Sequence, residues 1–253
     1  MAASGARTLD STLLREYDIR GVVGETLSAQ DARAIGLAFG TILARDRGRS
    51  VAVGHDGRLT SPELEQALVE GLTATGMSVT RVGLGPTPML YYAAHELASD
   101  GAVMVTGSHN PPEHNGFKFS RRGKPFHGAD IQELGRIAAR GEFSSGVGTS
   151  GAREMLDAYV ERLARDFRGA RELRVAWDPG NGAAGDAVTR LVQRLPGRHT
   201  VINGTIDGRF PAHHPDPTVE SNLAQLKEAV IQGECDLGFA FDGDGDRIGV
   251  VDG

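Results

Sequence analysis

Along this chain, short β-branched and apolar runs alternate with longer stretches whose apolar positions recur at i, i+3 and i+4, a pattern that predicts strands and amphipathic helices in turn. Residues 28–47, SAQDARAIGLAFGTILARDR, open on a capping serine and predict a helix. The run SVAVG at 50–54, closed by glycine, predicts the strand that follows. Next, SPELEQALVEGLTATG (61–76) reads as a helix with Ser61 as N-cap and Pro62 at the first helical position. The strand SVTRVGL (78–84), a helix over 87–97 and the strand GAVMVTG (101–107) continue the alternation. A short strand, GFKFS (116–120), and a helix near 129–140 close this half.

The stretch GEFSSGVGTSG (141–151) has no period and almost no charge, which marks a domain boundary. Beyond it, AREMLDAYVERLARDF (152–167) is an amphipathic helix that leads into a second alternating unit. That unit reads strand 173–178, helix 185–195, strand 199–203, a Pro/His loop, helix 221–233 and strand 236–241. The expectation is an α/β protein of two tandem layered domains with mixed, largely parallel sheets, over residues 1–150 and 151–253. Two units of similar kind suggest a duplicated architecture, although no residue-level repeat supports it.

With 253 residues, 40% of them hydrophobic, the chain can bury real cores. Its net charge of −6, from 27 basic and 33 acidic residues, argues against a nucleic-acid surface. The N-terminal stretch lacks the apolar core of a signal peptide, and no run approaches the roughly 18 apolar residues that would span a bilayer. The expectation is therefore a cytoplasmic protein with no membrane partner. Cys235, alone in its type and set in an apolar run, reads as a buried core residue.

Ligands of open α/β sheets gather at loops beyond the C-terminal ends of strands, and three unusual stretches stand there. In VTGSHNPPEHNGFKFS (105–120), Ser108 lies beside His109 and Asn110, and Lys118 follows on the next strand. A serine oxygen among imidazole, amide and ammonium groups could be a nucleophile or a phosphate carrier, or the loop could simply be a turn before Pro111 and Pro112. In FDGDGDRIG (241–249), Asp242, Asp244 and Asp246 alternate with glycines, so three carboxylates can converge on one cation. All-oxygen ligands suit Mg²⁺ or Mn²⁺ better than zinc. An EF-hand calcium loop would need glycine and glutamate where Arg247 and Gly253 stand. The third stretch, GNGAAG (180–185), spells G-x-G-x-x-G and could mark a dinucleotide site of an NAD-dependent oxidoreductase, but Asn203 occupies the place of the expected acid. Arg20 and Arg247 stand out as local positive charge for a phosphate, whereas Arg121, Arg122 and Lys124 form a run that need only be solvated surface, and His213 and His214 are unassigned.

Taken together and in order, REYDIRG, TGSHNPPEHNGFK and FDGDGDR resemble the α-D-phosphohexomutase family, closest to its bacterial phosphomannomutase/phosphoglucomutase type, from about Leu14 to Gly253. The resemblance implies an isomerase in which Ser108 carries a phosphate, passes it to a sugar monophosphate and recovers the other phosphate of the bisphosphate intermediate. It implies Mg²⁺ held by Asp242, Asp244, Asp246 and an oxygen on Ser108. Lys118, Arg247 and Arg20 would steady the phosphoryl group and the reacting hydroxyl, His109 and Asn110 would shape the serine loop, and Tyr17 would face substrate. Glucose 1,6-bisphosphate or a similar compound would be the activator. The family has four domains, the third reading the sugar and the fourth binding its phosphate, so this chain is expected to be either the N-terminal half of a longer enzyme or a gene product that is itself a fragment. Mannose, glucose and glucosamine phosphates all remain open as substrates, as do the oligomeric state and a non-catalytic phosphate- and metal-binding module.

Overall fold

In the computed structural model, which describes residues 6–169 and 171–253, a 3-10 turn (Ser11–Leu13) leads into β1 (Ile19–Val22) and α1 (Ala29–Arg45). Helix α1 starts where the sequence predicts, because Ser28 and Asp31 form a reciprocal capping box. Then come β2 (Ser50–His55), α2 (Ser61–Ala74), β3 (Ser78–Leu84), α3 (Thr87–Glu96) and β4 (Gly101–Val105). The half continues through β5 (His114–Arg121), β6 (Lys124–Pro125), α4 (Ala129–Arg140) and β7 (Thr149–Ala152). The strands form one sheet in the order β1-β5-β4-β2-β3-β7, with β6 added to β5. Strands β4, β2, β3 and β7 run parallel, and β5 returns antiparallel between β1 and β4.

Both faces of this sheet are buried, which explains its continuous apolar runs. Val51, Val53, Val103 and Val105 point to a core shared with Phe39, Leu68 and Leu134 of α1, α2 and α4. The alternate residues Ala52, Ala102 and Met104 meet Met89 and Leu90 of α3 on the other side. Helices α1 and α2 approach closely: a Cβ on Gly36 would lie 2.2 Å from the carbonyl oxygen of Leu68, and one on Gly71 would lie 2.2 Å from that of Arg33.

The second half comprises α5 (Leu156–Asp166), β8 (Leu173–Asp178), α6 (Gly185–Val192), β9 (Gly197–Val201), a 3-10 turn (Glu220–Leu223), α7 (Ala224–Gln232), β10 (Leu237–Phe241) and β11 (Ile248–Asp252). Its sheet has the order β11-β10-β8-β9, parallel except for β11. Ala176 and Ala240 meet Leu226, Val230 and the buried Cys235 on one face. On β8 the neighbouring Trp177 lies tilted against Phe239 and parallel to the ring of Phe241.

Some expectations need correction. Thr60, not Ser61, is the N-cap residue of α2, and the Ser61 hydroxyl instead donates to Asp56 Oδ1 at 2.6 Å. The stretch 141–151 contains most of β7, which pairs parallel with β3 and carries the first sheet to Ala152. Its glycines serve close approach: a Cβ on Gly148 would lie 2.1 Å from the carbonyl oxygen of Met77, and one on Gly146 would lie 2.8 Å from Gly76 Cα. Helix α5 consequently starts at Leu156 and not at 152. Strand β9 lies two residues earlier than its apolar run, and β1, β6 and β11 add strands that the pattern did not announce. Among the described residues no helix is long and apolar enough to cross a membrane.

Candidate active site

Ser108 follows the C-terminal end of β4 and is buried. Its backbone is left-handed, with φ +48°, a conformation that costs a non-glycine residue about 1 kcal/mol and must be held by its surroundings. The Ser108 amide donates to Thr106 Oγ1 at 2.7 Å, and the Thr106 hydroxyl donates to Asp56 Oδ2 at 2.8 Å, which also accepts from the Gly107 amide at 3.1 Å. Held this way, Ser108 Oγ donates to Asp242 Oδ2 at 2.8 Å and lies 3.4 Å from His109 Nδ1. The hydroxyl and the acids, 134 positions apart in sequence, thus meet across the two domains.

The acids sit on the turn between β10 and β11. Asp242 Oδ1 accepts from the amides of Asp246 and Arg247, each at 3.0 Å, while Gly245 supplies a left-handed residue at φ +68°. Asp244 is held from the first domain: the Thr87 amide donates to its carbonyl oxygen at 2.8 Å, and the Thr87 hydroxyl and Lys118 Nζ both donate to its Oδ2, the latter at 2.7 Å. Lys118 Nζ also donates to Asp246. One carboxylate oxygen of each acid lies within 4.8 Å of the others. Asp244 Oδ1 is buried without any protein partner.

Charge follows this crowding. Burial, and then the neighbouring Asp244 and Asp246, push the Asp242 carboxyl above its ordinary range. Burial acts the same way on Asp244, but the Lys118 ammonium and the hydrogen bonds from Lys118 and Thr87, with that to Asp242, together hold that carboxyl down. Lys118 is itself raised, because the two acids overcome its own burial. Three oxygen donors and an orphaned buried oxygen fit a hard divalent cation such as Mg²⁺.

Ser108, Lys118 and Asp246 line a cleft of about 1090 Å³, while Asp242 and Asp244 are buried and do not line it. Arg20 is buried there, donating to the Gly107 carbonyl and to Asp18, with its Nε lacking a protein partner. Arg247 is exposed to the cleft, and burial followed by the Arg247 charge lowers the pKa of His109. The side of Asn110 lines the cleft while its carbonyl turns inward. Tyr17 also lines the cleft and is largely exposed, its ring 6.1 Å from that of His127. Tyr17, Arg20, Ser108, His109, Asn110, Lys118, Asp246 and Arg247 therefore border one space, whereas Asp242 and Asp244 are buried and meet its lining through Ser108 and Lys118, and the GNGAAG turn, His213 and His214 do not line it.

Sequence reasoning missed Arg58 and Asp56 of the HDGR stretch, both buried beneath the serine loop, and Thr87 beneath Asp244. The signal available was a charged pair immediately after a β-branched strand. GNGAAG proves to be a tight strand-to-helix turn whose second glycine is needed by the acid turn. A Cβ on Gly182 would lie 2.9 Å from the Gly243 carbonyl oxygen, which accepts from the Ala183 amide at 2.9 Å. Asn203, in place of the expected acid, donates to Asp178 Oδ1 at 3.0 Å. His213 meets the other oxygen of Asp178 at 2.8 Å.

The description "Phosphoglucomutase/phosphomannomutase, alpha/beta/alpha domain I" matches residues 11–145, and that of domain II matches residues 157–253. The chain belongs to this family. The phosphomannomutase/phosphoglucomutase of Pseudomonas aeruginosa is 43% identical over 251 residues, covering 99% of this chain and 54% of that protein. A phosphoglucomutase of Neisseria gonorrhoeae is 40% identical, covering 94% and 52%. The crystal structure of a phosphoglucomutase/phosphomannomutase family protein from Burkholderia thailandensis superposes with a TM-score of 0.93 at 42% identity, covering 96% of this chain and 55% of that one. The chain spans about half the length of the curated relatives it matches. Membership in this phosphomutase family gives the meeting of Ser108 with the acidic turn a chemical context.

Proposed function

We propose that this chain is the phosphate-carrying, cation-binding half of a phosphohexomutase that interconverts the 6- and 1-phosphates of mannose or glucose. The observation that carries this reading is the 2.8 Å hydrogen bond from Ser108 Oγ to Asp242, inside a cluster of three acids from the other domain. The names of the relatives, phosphomannomutase/phosphoglucomutase and phosphoglucomutase, support the substrate class.

In this reading Ser108 accepts a phosphoryl group from a sugar bisphosphate. The donor's phosphorus–oxygen bond breaks as the bond to Oγ forms, and the hydroxyl proton ends on the sugar oxygen that loses phosphorus. The return step delivers the group to the other end of a sugar monophosphate. Asp242, Asp244 and Asp246, with an oxygen on Ser108, would hold Mg²⁺, which offsets negative charge on the transferring group when bound. Arg20, Lys118 and Arg247 present positive charge to the same cleft, suited to a phosphoryl group that gathers charge as it moves. The buried Ser108 backbone fixes the attacking atom, His109 and Asn110 shape its loop, and Tyr17 stands where a sugar ring would lie. Glucose 1,6-bisphosphate, or a similar compound, serves as the activator that loads the serine.

Incubation with Mg²⁺ and glucose 1,6-bisphosphate, followed by intact-mass and peptide analysis, tests this. The expected result is a single added phosphate on Ser108, absent from Ser108→Ala. Failure of the wild-type chain to gain phosphate under these conditions overturns the reading.

A further inference from the structure

Arg58 is wholly buried and does not line the cleft, yet all five of its N–H groups are engaged beneath it. Nε donates to Asp56 Oδ2 at 3.2 Å. Nη1 donates to the carbonyl oxygens of Pro111 at 2.6 Å and His114 at 3.0 Å. Nη2 donates to those of Ser108 at 2.8 Å and Asn110 at 2.6 Å. The serine loop is thus wrapped around one rigid, planar fork whose geometry dictates where each carbonyl stands.

At Ser108 this has a specific outcome. Its amide is fixed by Thr106 and its carbonyl by Arg58, so both peptide planes beside the left-handed residue are set and Oγ is aimed at Asp242. The same carbonyl faces Gly243 of the acidic turn, where a Cβ would lie 2.3 Å away. The second domain also closes over the guanidinium. The Phe210 ring centroid lies 5.1 Å from Arg58 Cζ, and a Cβ on Gly208 would lie 2.6 Å from Arg58 Cα. Phe210 is held at φ +51°, with its amide donating to the Asp207 carbonyl at 2.9 Å.

We infer that Arg58 is the positioning residue of the phosphate-accepting hydroxyl, and that the Phe210 cap makes its alignment depend on the second domain being in place. The role in phosphate transfer rests on the phosphoserine reading above. A lysine in its place offers three donors from a single point and cannot reproduce four carbonyl contacts arranged by a plane.

The test compares wild type with Arg58→Lys and Phe210→Ala in thermal melting, Mg²⁺ affinity by calorimetry, Ser108 phosphorylation rate at saturating glucose 1,6-bisphosphate, and amide exchange. Arg58→Lys is expected to melt cooperatively and to bind Mg²⁺ within about threefold of wild type, while phosphorylating about 100-fold more slowly. Exchange of residues 107–114 should quicken at least about tenfold, with the rest of the domain unchanged. Phe210→Ala, which leaves every hydrogen bond of Arg58 in place, should quicken exchange in the same loop and slow phosphorylation by about tenfold. A wild-type rate in folded Arg58→Lys, or exchange that rises evenly across the first domain, overturns the inference. If Arg58→Lys does not fold, Phe210→Ala decides, and unchanged exchange and rate in it refute the claim. If wild type itself takes no phosphate, the phosphoserine reading fails, and loop exchange alone decides whether Arg58 sets the serine loop.

Discussion

Asp244 has no solvent exposure and one unpartnered oxygen, and its charge is matched within the protein chiefly by Lys118. Removing one partner of such a pair leaves an uncompensated buried charge, an effect of about 3 kcal/mol. Lys118→Met should therefore lower unfolding stability by about that amount in EDTA, with the deficit shrinking in excess Mg²⁺, as thermal melting in both conditions will show. His213 gives a second prediction at this scale. Its hydrogen bond to Asp178 raises its pKa above the ordinary value of 6.5, since burial opposes the shift but does not cancel it. The pair's contribution is then complete below that ordinary value and is lost as pH climbs through the higher folded-state pKa. Urea unfolding from about pH 5 to about pH 9 should show this decline in wild type and a flatter profile in His213→Gln. Ser108 and the three acids were legible in sequence because each sits in an unusual motif after a strand. Arg58 was not, since it is one of 27 basic residues and its significance comes only from a loop that folds around it about fifty positions later.

At the scale of elements, the contact between α1 and α2 depends on two glycines inside helices. Helix propensity alone would make Gly71→Ala stabilising by about 1 kcal/mol. The added methyl would instead fall 2.2 Å from the Arg33 carbonyl and 3.0 Å from Gly36 Cα, so backbone must move. The expected outcome is a net loss of about 2 kcal/mol in denaturant unfolding, because overpacking outweighs propensity. The helices and most parallel strands were readable from period, since strands such as β2 and β4 bury apolar side chains that their own spacing reveals. The strands that escaped are those specified by partners. Strand β1 carries a buried arginine and a glycine, β7 is four small exposed residues, and β11 returns from the acid turn to pair with β10. Their registers are set by hydrogen bonds across the sheet, which leave little trace in local hydrophobicity.

For the molecule as a whole, the decisive feature is that the candidate site exists only where the two domains touch. Gly243 lies at that contact, directly over the Ser108 carbonyl, and Gly243→Ala should drive the serine and acid loops apart without disturbing either core. A displacement of this size is expected to slow Ser108 phosphorylation by about 100-fold while far-ultraviolet circular dichroism stays unchanged. An equal rate in the variant would mean that the two loops need not meet so closely. Two domains could be read from the alternation of elements, but their mutual placement could not, because it depends on backbone-to-backbone approaches that only glycine permits and that no periodicity encodes.

Lys118 belongs to the first domain yet grips two acids of the second. That makes it a resident counterion: with no other cation bound, its ammonium offsets the mutual repulsion of carboxylates on one turn and ties that turn to the first domain. An ion held there as proposed would meet acids already partly neutralised, so some of its affinity would be given up for a cleft that stays assembled while it waits.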